Sequence, residues 1–418
     1  MMTSSNRNRL IFFALLFVLT EFFGWKYWGP ISIRNIGLIL ATFFLFWINW
    51  KYDKRLFGRF KFLVIYYVIV SVLGLFNGFY LDMGATFVFS RFLPTIVLFC
   101  FATSCCVNDE KSFSWLVYIL LLIMSVDAFA TIMQGRGSSI GWALYAQTNG
   151  ADIVEASFEK YGDYESSIGH SYASGLVGSV VGNGYFLAAL GSLFWYPYHK
   201  RRNLFSFLVS LFLFILCAVA LFYNQQRLAF YVYLLVTAVV AFFIIRPRTL
   251  RVGYVFLIVM AGLLLLGHTH LFDSMNLGRL ALVTDSDVFT RHAAHRTYYS
   301  EFFPYHYLTG DRHEYVVRYS MTPHNIVIET LLFGGVIGLG FFFMFVASLL
   351  VSLVQDLKAG RVESVLFAAP IMAILLISLE HSSGFHTGLT ICASLMALYE
   401  VSRVRDEMNK SELSRNTI

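Results

Sequence analysis

Charge is scarce in this chain. Asp, Glu, Lys and Arg make up 13% of its 418 residues, about half of the roughly 25% usual in a soluble domain. Hydrophobic residues reach 58% and the mean hydropathy is +0.66, so a soluble globular protein is excluded and an integral membrane chain is implied. Cysteine is almost missing as well. The five present (Cys100, Cys105, Cys106, Cys217 and Cys392) all fall in apolar runs and form no CxxC pair, so neither a disulfide framework nor a thiolate metal site is indicated. Adjacent Cys105 and Cys106 are open to two readings, a lipidation site or small core-filling thiols. No small-residue cleavage site follows the first apolar run, so that run reads as a span behind a basic leader rather than a cleaved signal. With no low-complexity linker, appended soluble stretch or internal repeat, residues 1–418 read as one membrane domain.

A helical span needs about 20 mostly apolar residues, and backbone in lipid must satisfy its own hydrogen bonds. The expectation is an all-α polytopic protein with about twelve spans, at 10–28, 31–50, 62–80, 87–107, 113–133, 172–196, 204–222, 227–245, 251–267, 324–354, 363–379 and 385–401. The first pair has a very short connection, and the tenth is long enough to be tilted or to extend past the bilayer. Placing both termini in the cytoplasm puts 20 of the 31 Lys and Arg on short inside segments, with some in every one. This is the positive-inside pattern. The net charge of +6 therefore records topology and not nucleic-acid binding, and "HKRRN" at 199–203 reads as a topology determinant. The bilayer is the first partner implied.

Two outside connections are long, 134–171 and 268–323. The first is acidic and polar, suited to a lid or to a solvated connector. The second holds six histidines, five arginines and six acidic residues. Its aromatic run "TYYSEFFPYHYLTG" reads as a partly folded cap on the membrane, offering either a sugar-binding surface or ordinary interfacial aromatics. Arg34, Arg91 and Arg227 lie within or at the edges of predicted spans, where a charge is costly and faces a partner or cavity unless it snorkels. Asp127, inside the fifth predicted span, is either their counter-charge or a helix-packing group.

The stretch "TPHNIVIETLLFGGVIGLG", Thr322 to Gly340, opens the tenth predicted span. Thr322 suits an N-cap and Pro323 a first helical position, which would put His324 in the first turn. A helix start biases an imidazole towards its neutral, basic form and favours a bound anion such as phosphate. The glycines behind it permit close helix approach. Beyond Asp285-Ser286-Asp287 in the long loop there is no DxD, and no convincing His/carboxylate cluster is evident, so no metal is expected, nor any cofactor.

This stretch resembles a motif of the O-antigen polymerase and O-antigen ligase family of bacterial envelope glycosyltransferases. There a His is followed by Asn, Ser or Gln, nine residues, Gly, two residues, and Gly, Thr or Tyr. Here these are His324, Asn325, Gly335 and Gly338, placed directly after the large outer loop as in the family. "QQRLAF" resembles the family's mid-chain arginine segment, which maps to Arg227. "DVFTRHAAHRTYYSEFFPYHYLTG" resembles the arginine-containing helix of the large loop, without its usual tryptophan, and maps to either Arg291 or Arg296. The resemblance implies a bacterial inner-membrane enzyme with a periplasmic active site, moving a glycan from undecaprenyl pyrophosphate to an acceptor hydroxyl. It implies that Arg227, with Arg291 or Arg296 and Arg91, clamps the pyrophosphate without a metal. His324 would activate the acceptor, helped by Asn325 or Glu329, and the anomeric centre would invert. A chain-length regulator and a flippase are the partners it implies. Polymerase is the expected activity, with ligase as the alternative. A flippase or transporter would also suit twelve spans, but related halves and midplane polar residues are not evident.

Overall fold

A computed structural model describes residues 57–76, 110–149, 173–177, 180–245, 251–254, 256, 295–319 and 324–379, parts of 388–403, and the backbone of 27–28 and 31–32. The described chain is mainly helical, with one two-residue antiparallel pairing, β1 (Tyr27–Trp28) with β2 (Ile31–Ser32). Tyr27 stands opposite Ser32 and Trp28 opposite Ile31. The expected spans at 10–28, 31–50 and 87–107, and most of 251–267, lie outside the described residues.

The helices are α1 (Phe57–Phe76), α2 (Glu110–Gly135), α3 (Ser139–Asn149), α4 (Val180–Leu190) and α5 (Leu204–Asn224). They continue with α6 (Arg227–Ile244), α7 (Arg312–Tyr319), α8 (Ile326–Lys358) and α9 (Glu363–Ile377). Among the described residues three segments are long and apolar enough to cross a membrane: Phe113–Gly135, Leu204–Asn224 and Ile326–Lys358. This is a membrane protein by that measure. Helix ends follow local chemistry. Left-handed Arg202 (φ 51°) closes the short helix Tyr196–Arg201, and Asn203 then caps α5 by accepting from Ser206 N at 2.8 Å in a capping box. Left-handed Gln225 (φ 60°) ends α5, and α6 begins two residues later.

Two expectations change. The run 172–196 is not one span: residues 173–177 are irregular, then comes α4, then a 3-10 turn over Gly191–Trp195. The irregular backbone persists because side chains from other helices satisfy it. Gln134 accepts from Ser174 N and Gly175 N and donates to Gly175 O, while Asp127 Oδ1 accepts from Leu176 N at 2.7 Å. Asn224 Nδ2 donates to the carbonyls of Ala173 and Val180. Asp127 is thus a packing group, fully buried. The connection beginning at 134 is likewise not plain loop, since α3 occupies its start.

The second change concerns α8. Its 33 residues contain one non-helical position, Gly335 (φ 56°, ψ −159°), a region essentially reserved for glycine. The turn at 307–310 fills the break. A Cβ on Gly335 would strike the Leu308 carbonyl, and Val336 N, released from its helical partner, donates to Tyr307 O at 2.8 Å. Beyond the break α8 runs along α1, with Tyr66 against Phe342 and Phe60 against Phe345. Gly338 lies in ordinary contact with Tyr66, at 3.7 Å for an added Cβ, and Gly340 meets nothing within 4 Å.

Gly335→Ala is therefore expected to destabilise the purified protein by about 2 kcal/mol or more, whereas Gly340→Ala, in open space on a helix, leaves its melting temperature unchanged or raises it slightly. Equal melting temperatures for wild type and Gly335→Ala would refute the break as a structural requirement.

Candidate functional site

The start of α8 differs from the sequence expectation in its cap. Asn325, not Thr322, is the N-cap: its Oδ1 accepts from Val327 N at 2.9 Å and Ile328 N at 3.3 Å. Its Nδ2 donates to Leu379 O at 2.9 Å, and Ile326 N donates to Ser378 O at 2.8 Å. His324 therefore lies before the cap rather than in the first turn, half-buried, with a left-handed backbone (φ 50°). The correction has a chemical consequence. All of the first N–H groups of α8 are taken, since Glu329 N also bonds Asn325 O. The free donors expected to hold a phosphate here are not free.

Glu329, in the first turn, is buried at 7% exposure, and a carboxylate there needs a partner. Arg312, at the start of α7, supplies it. Its Nε lies 3.3 Å from Glu329 Oε2, and its guanidinium sits 5.0 Å above the Phe333 ring. Glu329 thus joins an ion pair across the junction of α7 and α8. Arg312 was one of five arginines visible in the long loop, and nothing in the linear pattern singled it out. The clue was the lone carboxylate in an otherwise apolar run.

The segment 295–319 is folded and packs on the start of α8. Tyr298, Phe302 and Tyr315 pack with Ile328, Leu331 and Leu332 in a small second core, with Tyr315 edge-on to Tyr298 and to Phe302. Burial pushes the Tyr315 phenol up to about 12, and Tyr298 is also raised. These rings are core and not a binding surface. Tyr299, Tyr305 and Tyr307 are the exposed ones, Tyr305 at 81%.

Arg227 is the first residue of α6, and its N-cap Gln226 makes no side-chain capping bond. A Cβ on Gly184 would strike the Gln226 and Asn224 amide oxygens. The next residue, Tyr185, has its hydroxyl 3.2 Å from Ser378 Oγ, and the Ser378 carbonyl receives Ile326 N. Through α4 and the end of α9, the starts of α6 and α8 are held at the same end of the molecule. Arg296 is exposed at the edge of the cap, where its carbonyl accepts from Ser300 Oγ at 2.8 Å. Arg91 and Arg291 lie outside the described residues.

A double-mutant cycle tests the pair at the α7–α8 junction. Arg312→Ala and Glu329→Gln should each lower stability, and together cost less than their sum by about 1 kcal/mol or more. Strict additivity in thermal or denaturant unfolding would show that the two side chains are not coupled.

No family model, no curated protein and no solved structure matches this chain, so its function has to be argued from its own residues.

Proposed function

We propose that this protein is an envelope glycosyltransferase of the O-antigen polymerase type, an inner-membrane enzyme with its active site at the periplasmic face. It would transfer a growing glycan from undecaprenyl pyrophosphate to a lipid-linked acceptor repeat. The observation that carries the reading is that the first three marked positions of the His-Asn-x9-Gly-x2-Gly stretch each have a separate physical job, and the fourth lies in the helix contact beyond them. His324 stands in a left-handed conformation ahead of the cap, Asn325 is the cap, Gly335 is the break, and Gly338 lies against Tyr66. A stretch of apolar helix with no task beyond spanning would need none of these.

In this reading His324 takes the proton of the acceptor hydroxyl. The acceptor oxygen attacks the anomeric carbon as the carbon–oxygen bond to pyrophosphate breaks, and the pyrophosphate leaves with the electron pair. The configuration inverts. Guanidinium groups match phosphate oxygens in a fixed fork, a role for Arg227 with Arg291 or Arg296 and Arg91. These arginines supply the positive charge that the leaving group needs. Asn325 acts as a positioning residue, holding the chain at His324 through its bonds to α8 and Leu379. Glu329 acts through Arg312. The polymerase reading is preferred to the ligase because the two outer connections are sizeable and the longer one is not especially basic, whereas a lipid A-core acceptor brings phosphates of its own.

The test is deletion in the native host with complementation by wild type, His324→Ala or Arg227→Ala, read as a lipopolysaccharide ladder. Deletion should leave a single repeat on core, and each variant should fall short of the wild-type ladder, with turnover down about 100-fold or more. Bare core with long glycan retained on the carrier would make the protein a ligase. Full ladders from both variants at normal expression would overturn the site assignment, and an unchanged ladder in the deletion would overturn the function.

A further inference from the structure

The cap brings together three side chains that the linear sequence did not suggest as a set. His306, Asp311 and Glu314 each offer one ligand atom, and the three atoms lie within 4.8 Å of one another. We propose that they form a binding site for a divalent first-row cation of the Zn²⁺ type, which braces the cap against α8. This inference stands on the cap's own geometry and not on the transferase reading.

The three ligands come from one short segment whose backbone is already locked. His306 precedes the turn, and its ring stacks on Phe302 at 4.1 Å between centroids and 12° between planes. Gly310 closes the turn at φ 67°, with its N–H on the His306 carbonyl at 2.9 Å. A Cβ there would collide with the Leu331 and Leu332 carbonyls. Asp311 follows directly, its Oδ1 accepting from Glu314 N at 2.9 Å. Glu314 stands in the first turn of α7, its Oε2 3.3 Å from His306 Nε2. An exposed His–Glu pair alone would contribute little. A second carboxylate close to both makes it a set of one nitrogen and two oxygen donors with net negative charge, which a dication neutralises.

The donor set narrows the ion. Imidazole is a usual ligand of Zn²⁺ and its neighbours, whereas Ca²⁺ and Mg²⁺ take oxygen. Zinc bonds to His nitrogen and carboxylate oxygen are about 2.0–2.2 Å, so side-chain rotation has only to draw the three atoms together by an ångström or so, with water completing the shell. The bound ion would fix the start of α7, and Arg312 lies between two of its ligands. The ion would therefore act through Arg312 on Glu329 and the start of α8.

The experiment uses the full chain in phosphatidylcholine nanodiscs, tag removed and chelator-washed, titrated calorimetrically with Zn²⁺ alone against empty nanodiscs. One ion per chain is expected, with a rise in melting temperature. Both effects should weaken at least about tenfold in affinity, or vanish, in His306→Ala and in Glu314→Gln. Glu314 is exposed and the Gln change is isosteric, so that variant keeps the test valid if His306→Ala fails to fold. A His268→Ala/His270→Ala double variant should bind as wild type does. No stoichiometric binding, wild-type binding in Glu314→Gln, or loss of binding in the His268/His270 variant would each overturn the proposal.

Discussion

The contact on which this end of the molecule depends is between two stretches of backbone. The turn at 307–310 lies on α8 where Gly335 departs from helical geometry, close enough that neither Gly310 nor Gly335 has room for a Cβ. A helix broken in an apolar setting exposes a donor that water cannot reach, and an unmet donor there is expensive. Here the turn itself supplies the acceptor, from Tyr307 to Val336. Break and cap therefore require each other. Residues 336–358 alone are about 34 Å long at the helical rise, enough for a roughly 30 Å hydrocarbon core. Residues 326–334 are left as a separate segment beneath the cap, carrying Glu329.

The same economy governs the buried polar groups. Glu329 is matched by Arg312. The irregular stretch 173–177 is matched by Gln134, Asp127 and Asn224, and Asn183 can donate to Asp127 Oδ2 at 2.7 Å while accepting from Gly175 N. At 173–177 non-helical backbone survives because side chains from neighbouring helices complete its hydrogen bonds, whereas the break in α8 is completed by the backbone of the turn at 307–310. Helix α4, which follows the first region, and the start of α8 are linked through Tyr185 and Ser378. The buried polar side chains of α2 and α5, Asp127, Gln134 and Asn224, are thus spent on the backbone of an interrupted neighbour.

The long helices were legible from apolar run length alone. Residues 204–222 became α5 over Leu204–Asn224, 227–245 became α6 over Arg227–Ile244, and 363–379 became α9 over Glu363–Ile377. The start of α1 was placed five residues late because Arg59 and Lys61 read as loop charges. Lys61 instead lies along the helix, 4.8 Å from the Phe62 ring, as a snorkelling side chain does. The failures share one cause, that the deciding partner lies far along the chain. Thr322-Pro323 is the better local capping signal, but only Asn325 also reaches the Leu379 carbonyl, 54 residues on. The interruption near Gly175 depends on acceptors 41 and 49 residues earlier. Glu329 found its arginine 17 residues upstream, among five that local pattern could not rank.

The capping of α8 also relocates the electrostatics. A helix start attracts anions through free N–H groups and its dipole. At α8 the first donors are held by Ser378, Asn325 and the helix itself, and Glu329 adds a carboxylate to the first turn. At α6 the N-cap Gln226 gives no side-chain capping bond, the first turn carries no acid, and its first residue is Arg227. The physical case for anion binding at this end of the molecule therefore moves from α8 to α6. His324 sits beside a helix start sealed by protein carbonyls and amides, which suits holding an imidazole in place better than gripping a phosphate.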